Sequence, residues 1–114
     1  MEFWLILKVI AAAITAGFGV WGLIDPVGVG RFGGVSATEK RGWGELRAIH
    51  GGVVFALAAY ALITRVPPTF TMLGLAYLAA GVARMVSIHR DGAGGRRTWG
   101  TALAEVSLGL ILGL

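Results

Sequence analysis

The chain has 114 residues, 56% of them hydrophobic and only 14% charged, with a mean hydropathy of +0.78, whereas water-soluble domains carry about 25% charged residues. Four spans of about 20 residues with short connections consume nearly all of it, which excludes a separate soluble catalytic domain. Cysteine is absent, so disulfides, thiolate chemistry and cysteine zinc sites are excluded; the net charge of +4 sits at loops and helix ends, as positive-inside topology asks, and not as a nucleic-acid footprint.

The first apolar run, about residues 3–24, is interrupted only by Lys8. Its length suits a bilayer crossing, and Glu2 before it with Asp25-Pro26 after it does not fit a cleaved signal peptide. Proline ends this helix. Residues 27–44 hold six glycines and four charges and are expected to form an interfacial loop. Within it, Ser36-Ala37-Thr38-Glu39 has capping-box spacing, so a helix is expected to begin early there. The second span covers about 45–63 and is closed by Arg65 with Pro67-Pro68. A third, about 69–88, leads into the glycine-rich basic loop HRDGAGGRR. The fourth, about 99–114, is short for a crossing and is expected to start within that loop. The sequence therefore predicts an all-α fold, a single integral membrane domain built as a four-transmembrane-helix bundle. Trp4, Trp43, Trp99 and Tyr60 fall near helix ends, where amphipathic rings favour the interface.

Ionisable groups inside spans cost about 2.5–3.5 kcal/mol each on insertion scales, so their positions are informative. Asp25 ends the first span; Glu45, Arg47 and His50 open the second; Arg84, Ser87 and Asp91 close the third, near His89; Glu105 lies in the first half of the fourth. Alternating topology puts all of them on one side of the bilayer. Gly81, Arg84, Ser87 and Asp91 share one helix face, and Glu45, Ala48 and Gly52 share another. Arg84 lies seven residues, about 10 Å, inside Asp91, and Glu105 sits at a similar depth, so the two are expected to pair. Arg47 is expected to meet Asp25 or Asp91, with Glu45 choosing between the arginines. Such a cluster reads either as an ion-pair network holding the helices in register or as a polar pocket for a headgroup, ion or small solute. His50, His89, Glu45 and Asp91 lack metal-motif spacing, so no metal and no cofactor is called for. Gly51, Gly52 and Gly81, with Gly74 and nearby alanines, supply small residues for close helix packing, within one chain or in a homo-oligomer.

A weak internal echo runs through the chain. An Asp-Pro or Asp-Gly helix end (Asp25, Asp91) precedes a glycine-containing basic loop and then a helix starting near an acid (Glu45, Glu105).

The run Glu45-Leu46-Arg47-Ala48-Ile49-His50-Gly51-Gly52, with Asp25-Pro26 before it and Arg84, Ser87, Asp91-Gly92 and Glu105 after it, resembles the bacterial four-helix membrane family known as domain of unknown function 4345. The resemblance covers almost the whole chain. It implies a compact four-span protein and no established activity, and carries Glu45, Arg47, Gly51, Gly52, Arg84, Asp91 and Glu105 forward as motif positions. That family typically has an aromatic residue at the place of His50.

The expected function is that of a non-enzymatic membrane protein in a bacterial inner membrane, with both termini outside. It would bind membrane lipids or a small amphiphile at the charged cluster, or serve as an accessory subunit of a larger membrane complex. The alternative is a small proton-coupled transporter; here the first span has no acid between Glu2 and Asp25, so Glu105 would have to carry the proton. No nucleophile and base are assembled for catalysis.

Overall fold

The computed structural model describes residues 2–92 and 94–114, and among them every regular element is helical. The helices are α1 (Glu2–Ile24), α2 (Pro26–Phe32), α3 (Lys40–Thr64), α4 (Pro67–Asp91) and α5 (Arg96–Gly113). The chain divides into two compact units, one of Ala12–Arg65 and the other of Val66–Leu114 with Met1–Ala11. Each centres on a helical hairpin.

The expected loop over 27–44 is in part helical. Asp25-Pro26 does more than stop α1, because proline's fixed φ suits the first position of a new helix. Asp25 accepts a hydrogen bond from the Gly28 amide at 3.0 Å, capping α2. The capping box expected at Ser36 does not form: α3 begins at Lys40, and its cap residue Glu39 makes no side-chain capping bond. Glu39 instead bridges Arg41 at 3.3 Å.

The second turn also differs from expectation. Pro67 and Pro68 do not close α3; they open α4 from its first turn, where a missing amide costs nothing. Only Val66, the residue before them, is extended, as a residue before proline should be. What ends α3 is Arg65, in the left-handed conformation at φ 53° and ψ 27°. At the far end α4 runs on to Asp91, through part of the expected loop, and stops at Gly92, whose φ of 68° suits glycine at a helix C-terminus.

Within α3, Arg47–Val53 is wound as a π-helix. The extra residue per turn shifts the buried face: Leu46 and Gly51, five apart, are buried, and Ala58 and Ala61 continue the stripe. An unbroken α-helix would have carried the stripe from Leu46 through Ile49 or His50, both of which are exposed.

The interior is made largely of small residues, with Ala11, Ala12, Ala58, Ala61 and Ala102 at 2% exposure or less. Large apolar side chains point outward instead, among them Phe3, Met72, Leu75 and Leu103. That inversion of the water-soluble pattern is what a lipid solvent produces. Helices α1, α3 and α4 are long and apolar enough to cross a membrane, which marks a membrane protein. Helix α5 has 18 residues, with Arg96, Arg97 and Glu105 among them.

Candidate functional site

The α4–α5 hairpin holds the pair expected from depth. Arg84 donates from Nε to Glu105 Oε1 at 2.7 Å and from Nη2 to Oε2 at 3.0 Å, a two-pronged match of guanidinium to carboxylate. Arg84 keeps 33% of its side-chain surface and Glu105 15%, so the pair is largely withdrawn from solvent. Gly81 makes room for it. A Cβ there would lie 2.8 Å from Val106 and 3.5 Å from Glu105 Cβ, so a larger residue would push α5 away one turn from the pair. Deeper in the hairpin, a Cβ at Gly74 would fall 2.6 Å from the Gly113 amide nitrogen.

Ser87 and Asp91 lie on the same face of α4, but they satisfy each other: Ser87 Oγ donates to Asp91 Oδ2 at 2.8 Å. Next to them the His89 ring meets the Trp99 ring edge-on, with centroids 6.0 Å apart.

The α1–α3 hairpin is built on backbone contact. A Cβ at Gly22 would lie 2.5 Å from the His50 carbonyl oxygen, and one at Gly51 would lie 2.7 Å from the Leu23 amide nitrogen. The π segment sets this contact by turning Gly51 toward α1. Gly52, expected to pack likewise, has no neighbour closer than the Arg47 carbonyl oxygen at 3.9 Å; the shifted register takes it off the contact face. Sequence reasoning missed Gly19 and Gly22, and the signal was there as glycines spaced by three in α1.

Arg47 does not meet Asp25. Its Nε donates to the main-chain oxygen of Leu23 at 3.0 Å. That carbonyl lies in the last turn of α1, where main-chain oxygens lack helical partners and carry partial negative charge, so the arginine caps the helix. One edge of the guanidinium is thereby fixed, and among the described residues its Nη groups have no protein partner. The side chain is exposed.

Asp25 caps α2 and accepts from Trp21 Nε1 at 3.4 Å. Trp21 in turn packs with Phe18 and Phe32. Glu45, expected to choose an arginine, does not take Arg47; elsewhere Glu39 pairs with Arg41 and Glu105 with Arg84. With His50 it borders a small depression walled by Val35, Leu46 and Ile49. Among the described residues no three His, Asp or Glu side chains converge as metal ligands.

The model of the family described as Domain of unknown function (DUF4345) matches residues 4–114. No curated protein and no solved structure matches the chain.

Proposed function

Because the chain belongs to the DUF4345 family, whose description names no activity, we propose its function from its own residues: a non-enzymatic, four-crossing protein of a bacterial inner membrane that holds an anionic lipid headgroup or small amphiphile at Arg47. The supporting observation is the state of that arginine. It is exposed, aimed by its bond to the Leu23 carbonyl, and left with a free donor edge of the kind that binds a phosphate or carboxylate. Preorganised donors of this sort spend less conformational entropy on binding.

The fourth crossing is α5, about 27 Å long at 1.5 Å per residue. Its two arginines stand in the first turn, where long side chains reach the headgroups, and the charge of Glu105 is matched by Arg84. Arg31 lies between the first two crossings, Lys40 and Arg41 open the second, and Arg90, Arg96 and Arg97 stand at or beside the turn joining the last two. Basic connections stay cytoplasmic, so both termini are outside. Lipids of the cytoplasmic leaflet are the more anionic, which suits the sign of Arg47.

A proton carrier at Glu105 would have to release and regain a proton while Arg84 engages both of its oxygens. That engagement weighs against the transporter reading.

The test is lipid-class analysis of protein extracted gently from its own membrane. Wild type should carry a stoichiometric anionic lipid or amphiphile that Arg47→Gln loses and Arg47→Lys partly keeps. Equal retention by all three would refute the assignment.

A further inference from the structure

A shallow, open groove runs along the outer side of α4, lined by Val82, Met85, Val86, His89 and Arg90 of that helix alone. Their spacing places them on one helical stripe, and Val82 and Val86 are 53% and 54% exposed. The stripe is apolar for its first half and cationic at the helix end. Along the axis it covers about 12 Å.

We infer that this groove seats one anionic phospholipid, with an acyl chain along Val82, Met85 and Val86 and the phosphate against Arg90 and His89. Helix α4 is long and apolar enough to cross a membrane, so its outward stripe meets acyl chains, and the polar end fixes which lipid is preferred. Arg90 is exposed and has no protein partner among the described residues. Its charge is complementary to a phosphodiester, which it can grip with two donors. The edge-on contact of His89 with Trp99 holds the imidazole at the rim, and tryptophan favours the headgroup level. This site rests on the membrane placement of the chain and shares no residue with the one at Arg47.

The chain, reconstituted whole in phosphatidylcholine vesicles, is probed with spin-labelled phosphatidylglycerol or phosphatidylcholine, reading the motionally restricted fraction by electron paramagnetic resonance. Wild type should prefer phosphatidylglycerol. Arg90→Gln should weaken that preference about fivefold, the worth of one basic residue near the surface, while Arg90→Lys retains most of it. Arg47→Gln should leave the Arg90-dependent part in place, so failure at one site is distinguishable from failure at the other. An unchanged preference in Arg90→Gln overturns the inference, as does its abolition by excess inorganic phosphate, which would make this a free-phosphate site. Because the chain has no cysteine, Val86→Cys gives a clean further check. Efficient disulfide cross-linking between copies in dilute vesicles would mean that a second chain, and not a lipid, fills the groove.

Discussion

The two hairpins each place an arginine where helices meet, and the two arginines end in opposite states. In α4–α5, Arg84 sets Nε and Nη2 against the two oxygens of Glu105, and the charge is matched by a carboxylate. In α1–α3, Arg47 spends Nε on a helix-end carbonyl and keeps the rest of its fork open. The difference comes from the partner helix. Helix α5 offers an acid at matching depth, whereas α1 offers glycines, backbone and the carbonyls of its last turn. An internal echo that pairs Glu45 with Glu105 therefore breaks at the chemistry, since Glu45 does not pair with Arg47 as Glu105 pairs with Arg84. A paired arginine stabilises a hairpin; a half-engaged one is also available to a ligand.

The comparison can be broken most forcefully at the closed pair. Glu105→Leu strands a largely withdrawn cation and should cost about 3 kcal/mol, the low end for breaking a buried pair because Arg84 keeps some exposure. Arg84→Leu with Glu105→Leu removes both charges and should fall within about 1 kcal/mol of wild type. Reversible unfolding in detergent measures both, and a double variant as damaged as the single one would show that the pair is not a neutralised unit.

Next comes the backbone seam of the other hairpin. Gly22→Val puts methyl groups against the His50 carbonyl and should cost about 2 kcal/mol as overpacking. Gly52→Ala, off the seam, should cost nothing measurable; equal losses would mean that the π segment does not set the register. A smaller effect belongs to Arg47→Gln, about 1 kcal/mol from a lost charged helix cap. It should be accompanied by loss of bound anionic lipid, a coupling the closed pair lacks.

Smallest is Arg65→Gly. A left-handed non-glycine residue is strained by about 1–2 kcal/mol, and glycine gives back about 0.5–1 kcal/mol through chain entropy. The change should thus stabilise by about 0.5 kcal/mol, as a shift in the same unfolding transition. Destabilisation would reveal a role for this third arginine.

The sequence made the closed pair readable because both partners are side chains and their depths can be counted along two helices. Arg47 was readable as unusual, but its partner was not, because a main-chain oxygen leaves no mark in a side-chain pattern. Asp25-Pro26 was readable as a stop, and its second use as the cap and first position of α2 was overlooked. The π segment escaped altogether. Hydrophobic periodicity assumes an α register, so Gly51 and Gly52 appeared alike as contacts, and nothing showed that of the two only Gly51 meets α1. The three long spans were plain from apolar run length, whereas α5 carries three charges in 18 residues, so its run length does not mark it in the same way.

The most direct measurement is native mass spectrometry of the whole chain released from its own membrane, with Arg47→Gln and the Arg84→Leu, Glu105→Leu double variant side by side. The account predicts an anionic adduct on wild type and on the double variant, and its loss from Arg47→Gln. An adduct that survives in Arg47→Gln but disappears with the Arg84 pair would contradict it, and would make the closed arginine the binding one.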